Sequence, residues 1–190
     1  MDINEQTKYI DKENRIIYIC GQLDNISMPQ ILFELVNLIE EDNIAAEAIK
    51  DYIRIPIKIF LETQGGYISI ANNLINIILN SKTPIYTYAL GDCMSSGFLV
   101  FIAGHKRYVG KYSTLMYHQI LSGTSYTCEH IKDFSEQLSR EQNNIEDYVS
   151  KQTYISKEKL KEIRQCQRDW YLTSDEALQL GVATDLYKGL

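Results

Sequence analysis

Between Arg15 and Leu90 the chain alternates short apolar runs with longer segments whose apolar residues recur every three or four positions. Arg15-Ile16-Ile17-Tyr18-Ile19-Cys20-Gly21 reads as a buried strand ended by glycine. Ser27 then stands where it could cap a helix carrying Ile31, Leu32, Leu35, Leu38 and Ile39 on one face. Ile55 to Glu62 predicts a second strand, which Gly65-Gly66 turns into a helix bearing Ile70, Leu74, Ile77 and Ile78. Ile85 to Leu90 predicts a third strand ending at Gly91, and a buried helix follows from Ser95 through Phe98 to Ala103. Strand, helix, strand, helix, strand is the order of parallel βαβ units, which places the chain in the α/β class. Sites in such sheets form outside the carboxyl ends of the strands. The turns at Gly65-Gly66 and Gly91 are therefore expected to line one cleft.

The second half changes character. Short strands are expected at Arg107-Tyr108-Val109 and Thr114-Leu115-Met116-Tyr117. A long polar helix follows from about Thr127 to Lys151, with Ile131, Phe134, Leu138, Ile145, Tyr148 and Val149 in a narrow apolar stripe. That stripe is too thin for a helix wrapped by core, so the helix should project and meet a partner subunit. Ser174, Asp175 and Glu176 open a short helix that Gly181 stops. No repeat, low-complexity tract or linker interrupts the chain, so residues 1–190 read as one domain, with 1–14 as a short tail.

Composition removes several classes. The longest apolar run, Phe98 to Ala103, is far below the roughly 18 residues a membrane span needs. The polar N-terminus lacks the apolar core of a secretory signal, so a cytoplasmic location is expected. Cys20, Cys93, Cys128 and Cys166 form no Cys-x-x-Cys pair, which fits reduced thiols and neither a zinc site nor a disulfide framework. Cys93 reads as a small buried hydrophobe. The net charge is −6 and the densest basic spot is only His105-Lys106-Arg107, so nucleic acid is not an expected partner.

Within this frame, Gly91-Asp92-Cys93-Met94-Ser95-Ser96-Gly97 carries the chemistry. It places a hydroxyl at the start of a helix, beside amides without intrahelical partners, where an oxyanion would find donors. Taken alone, Ser95 could equally be an N-cap. A nucleophilic serine needs a base, and the base an orienting group. Of the three histidines, His105 and His130 read as solvated, whereas His118 lies at the end of an apolar strand. A core histidine remains an alternative there. Asp169, in Arg168-Asp169-Trp170-Tyr171-Leu172, has apolar neighbours that should bury it, and Arg168 or Lys161 could pair with it as readily as His118.

From Arg15 onward the chain resembles the proteolytic subunits of the Clp protease, within the crotonase-like superfamily. The likeness rests on five segments in order: Arg15 to Gly21, Glu62-Thr63-Gln64-Gly65-Gly66, Gly91-x-x-x-Ser95-x-Gly97, Met116-Tyr117-His118-Gln119, and Arg168 to Ala177 followed by Gly181. The resemblance implies a crotonase-like α/β fold and a serine endopeptidase that needs no cofactor or metal. It implies Ser95 as nucleophile, His118 as general base, Asp169 as orienting carboxylate, and the Gly66 and Ser96 amides as the oxyanion hole. It further implies a handle region over 119–152 meeting an opposite ring. Ile120, Leu121, Ser122 and Gly123, within a segment reaching Tyr126, would be the strand on which a peptide lies. Arg168 would make an oligomer contact. Its implied partners are further copies in heptameric rings, possibly doubled, an ATP-driven AAA+ unfoldase, and peptide or unfolded-protein substrates.

Four features depart from the family pattern. Gln64 replaces a proline before the glycines, and Ile120 replaces the proline after His118-Gln119. The tail before Arg15 lacks the apolar segment from which the family builds its axial gate, which weighs against unfoldase docking. Gln167 replaces an acid that pairs across the ring interface, which should make double rings more labile. Glu41 to Arg54 forms an added segment of helical composition. The competing readings are a non-catalytic or regulatory ring subunit, a signal-peptide-peptidase-like Ser/Lys hydrolase, and an acyl-CoA enzyme of the crotonase type.

Overall fold

The computed structural model describes residues 8–123, 125 and 127–189. Its sheet starts with β1 (Lys8–Asp11), antiparallel to β2 (Ile16–Cys20). Parallel pairing then carries it through β3 (Ile57–Thr63), β4 (Ile85–Met94) and β5 (Lys106–Val109). The connections are α1 (Met28–Ala48), α2 (Ile68–Asn80) and α3 (Ser96–Phe101), giving the expected βαβ order. Alternation explains why the sheet holds. Ile17, Ile19, Ile57, Ile59 and Leu61 are buried in the same core as Leu35, Leu74 and Ile78 of the helices. The intervening positions form an aromatic ladder on the opposite face, with Phe60 and Tyr88 stacked at 4.5 Å and Tyr88 and Tyr108 at 4.7 Å.

The tail expected over 1–14 is in part a strand, because Lys8 to Asp11 pair with Ile16 to Ile19. The Lys8 ammonium donates to the Gln22 carbonyl and to Ser27 Oγ, anchoring β1 against the loop before α1. Ser27 stands at the N-cap position but does not cap with its side chain; Asp24 accepts from the Ile26 and Ser27 amides there instead. The added segment is helical only as far as Ala48. Beyond it, Tyr52 turns back and donates to buried Asp42, which Arg15 and Thr83 also hold.

β4 does not stop at Gly91. It continues to Met94, exchanging β5 for β6 (Thr114–Tyr117) as its neighbour between Ala89 and Asp92. Gly91 is thus where the strand changes partner, and it does not line the cleft with Gly65-Gly66; Ser95 is the turn. After β6 come α4 (Cys128–Gln152), α5 (Lys157–Cys166), β7 (Trp170–Leu172), α6 (Ser174–Gln179) and β8 (Asp185–Leu186). Helix α5 has no forerunner in the sequence reading, because only Leu160 and Ile163 of its residues are buried. Thr173, not Ser174, caps α6, through a reciprocal box with Glu176. Helix α4 buries residues only in its second half, at Gln142, Ile145, Glu146 and Val149, and its first half stands away from the core.

Candidate active site

Ser95 is placed by the sheet. Met94 pairs with Met116 in the parallel β4–β6 ladder, and the Ser95 amide donates to the Met116 carbonyl at 2.8 Å. Two residues beyond Met116, His118 leaves β6 with its ring turned back to the serine. His118 Nε2 and Ser95 Oγ lie 2.7 Å apart. The hydroxyl is therefore not a helix cap. Ser95 also adopts φ 54° and ψ −123°, a conformation a residue with a Cβ holds only when its surroundings force it. Such strain typically costs about 1–3 kcal/mol and concentrates at functional turns.

The β4–β6 register and the Met116 carbonyl hold Ser95 there, and glycines make the room. A Cβ on Gly65 would lie 2.7 Å from Ser95 Cβ and 3.1 Å from its Oγ. One on Gly97 would collide with the Thr63 side chain, which already accepts from the Gly65 amide. Gly66 is glycine for the sake of a neighbouring backbone segment. Its missing Cβ makes room for the backbone of Leu23, whose nitrogen would be 2.6 Å away, rather than for an approaching ligand. The Leu23–Gly66 bridge uses the Gly65 carbonyl and the Tyr67 amide, so the Gly66 amide is left out of the pairing. Ser96 opens α3, so its amide has no partner one turn back. Its buried hydroxyl donates to the Gly66 carbonyl at 3.2 Å, which ties the two amide-bearing segments together. With only six residues, α3 brings little dipole of its own, and donor power here rests on these individual amides.

Asp169 departs from its expected burial. Its side chain is 54% exposed, and its Oδ1 lies 3.9 Å from His118 Nδ1, beyond hydrogen-bond length. The cause is local. The chain enters β7 through Gln167, which caps α5 in the left-handed conformation at φ 50°, and Arg168 and Asp169 follow on the surface. Trp170 and Leu172 turn inward and leave Asp169 outside. Burial holds the His118 imidazole below its ordinary value near 6.5, and Asp169 works in the opposite direction. The neutral form that could accept a proton is accordingly favoured.

A cavity of about 730 Å³ opens beside Ser95 and His118. Ile120, Leu121, Ser122 and Gly123 line it as irregular backbone rather than as a strand, and Thr124 and Tyr126 lie outside the described residues. The Ile120 amide donates to Gln142 of α4 at 2.8 Å, so any free backbone edge starts at Leu121. Cys93 is buried and its thiol is pushed upward by burial, which leaves it unsuited to compete with Ser95. Among the described residues no group of three or more His, Cys, Asp or Glu could hold a metal ion. No helix among them is long and apolar enough to cross a membrane.

A family model described as Clp protease matches residues 4–189. The ATP-dependent Clp protease proteolytic subunit 2 of Treponema pallidum is 27% identical over 133 residues, covering 69% of this chain and 66%, just under two thirds, of that protein. The ATP-dependent Clp protease proteolytic subunit of Borrelia garinii subsp. bavariensis is 28% identical over 170 residues, covering 88% of this chain and 81% of its own. Among solved structures, a point mutant of ClpP1 from Listeria monocytogenes shares the fold, with a TM-score of 0.78 at 19% identity over 94% of each chain.

Proposed function

Because this chain belongs to the Clp protease family, we propose that it is a serine endopeptidase acting through Ser95, His118 and Asp169. The observation that carries the reading is the 2.7 Å contact between His118 Nε2 and the hydroxyl of a serine held at positive φ. In this mechanism Ser95 Oγ attacks the peptide carbonyl and passes its proton to His118 Nε2. Charge gathering on the carbonyl oxygen is taken up by the Gly66 and Ser96 amides. His118 returns the proton to the departing amine, and water then releases the acyl group by the same relay. Asp169 closes on His118 Nδ1 as the site fills, since catalytic hydrogen bonds often tighten only with substrate bound.

The substrates are peptides or unfolded chains, docked along residues 121–123, and the working form is an oligomeric ring in the cytoplasm. The exposed first half of α4, with Ile131 46% exposed, supports a contact with a second copy there. Exposed Arg168 supplies another contact, and an AAA+ unfoldase remains a candidate partner. Light scattering across dilution, read beside peptide cleavage, tests the assembly: size and specific activity should fall together. Full activity from a monomer would remove the chamber. A non-catalytic ring subunit would draw on the open Asp169. Peptide hydrolysis by the native chain that vanishes in Ser95→Ala decides against that reading.

A further inference from the structure

Helix α4 turns Phe134, Leu138, Glu141 and Ile145 toward the cavity beside Ser95, at intervals of four, three and four residues. Three are apolar and the fourth is a carboxylate. Across the cavity lie Ile68 of α2, Leu99 of α3 and Met116 of β6, so the part of the cavity facing α4 sets Glu141 among apolar side chains. Glu141 is half-buried and keeps contact with water while the recess is empty; a ligand that fills the recess takes that water away. The partner it has is weak: Asn72 of α2 donates to Glu141 Oε1 at 3.4 Å. None of the ion pairs among the described residues includes Glu141. No lysine or arginine lines the cavity, whose titratable groups are Glu141, Asp169, His118, Tyr67 and Tyr117.

Resting on the reading of Ser95 as nucleophile, we propose that this cavity receives the side chain preceding the cleaved bond and that Glu141 selects lysine or arginine there. A basic side chain suits both parts of the recess. Its methylene stem lies along Leu138 and Ile145 while its cationic head meets the carboxylate. Arginine fits best, because its planar fork can engage both carboxylate oxygens. A leucine or methionine would expel water from the recess and leave Glu141 without a counter-charge, so the same residue rejects apolar side chains. Acidic side chains are repelled outright.

The test compares two peptide diphenyl phosphonates that differ only in carrying arginine or leucine next to phosphorus, on the full-length assembled protein. The readout is the rate of Ser95 adduct formation by mass spectrometry. The arginine probe is expected to react about 10–100-fold faster, the discrimination expected of a charge-assisted contact that the bound side chain shields from water. Glu141→Val should invert the preference by raising the leucine rate and lowering the arginine rate, and the isosteric Glu141→Gln should erase most of it. Equal or faster reaction with leucine in the native protein overturns the selection by Glu141, as does an unchanged ratio in a folded Glu141→Gln. If neither probe nor a side-chain-free fluorophosphonate modifies Ser95, the catalytic reading itself has failed and the selection falls with it. If the fluorophosphonate reacts and the arginine preference is missing, the selection alone is wrong.

Discussion

The two ring nitrogens of His118 face opposite kinds of surroundings. On the Nε2 side stands a serine fixed by a strand register, a backbone bond to Met116, and Gly65, whose missing Cβ leaves it room. On the Nδ1 side stands an exposed carboxylate 3.9 Å away, on a segment that follows a helix cap and packs only through its neighbours Trp170 and Leu172. The first half is made from the sheet and the second from the surface. Strain can be stored only where packing overdetermines the backbone, so the nucleophile half is rigid and pre-organised. The acid half is adjustable. It is the part of the site on which substrate or a neighbouring copy can act.

Breaking the rigid half should cost most. Ser95→Ala and His118→Ala are each expected to lower peptide turnover by about 10⁴-fold or more, with little further loss in the double variant. Steady-state kinetics on all three variants checks this, and additive losses would separate the two residues. Gly65→Ala comes next. Its Cβ would press on Ser95 at 2.7 Å while adopting φ +107°, so turnover should fall by about 10²-fold or more, with a stability loss of about 1–3 kcal/mol. Chemical denaturation beside kinetics separates the two effects.

Asp169→Asn probes the adjustable half and should cost less. Triads with a closed acid lose about 10⁴ on that change, and the gap here predicts a loss nearer 10²-fold in turnover, with substrate binding kept. A larger loss would show that Asp169 closes fully in the working state. The smallest effect is on the pH profile. Burial lowers the His118 pKa, so activity should persist below pH 6.5 and fail only as pH drops through the depressed value. Because the unfolded imidazole takes the proton more readily, stability should also rise with pH across that window. Asp169 raises the His118 value, and its replacement by asparagine should therefore move the acid limb to still lower pH.

The same division explains what could be read from the chain. The βαβ order was legible because Ile17, Ile19, Ile59 and Leu61 alternate along buried strands while Leu35, Leu74 and Ile78 recur at helical spacing. Ser95 was legible because it opens an apolar helix just after a strand, and His118 because it follows a recognisable apolar strand. The positive φ of Ser95 was not, since nothing in Ser-Ser-Gly specifies it; only the spatial meeting of Gly65 and Gly97 with Ser95 and Thr63 does. Gly91 misled as a stop because a strand may pass through glycine where it changes partners. Asp169 misled because strand alternation turns Trp170 and Leu172 inward and leaves Asp169, one step before Trp170, on the outward side with Tyr171. Glu141 had a readable signal, a charge at the gap between Leu138 and Ile145 in the stripe of α4, but its cavity exists only once α4 lies beside Ser95.

Reaction with a side-chain-free fluorophosphonate, followed by peptide mapping, tests the central claim most directly. One adduct per chain is expected, on Ser95, absent from Ser95→Ala and slowed by orders of magnitude in His118→Ala. An adduct that persists in Ser95→Ala, or a native Ser95 that reacts no faster than the one in His118→Ala, would contradict the account.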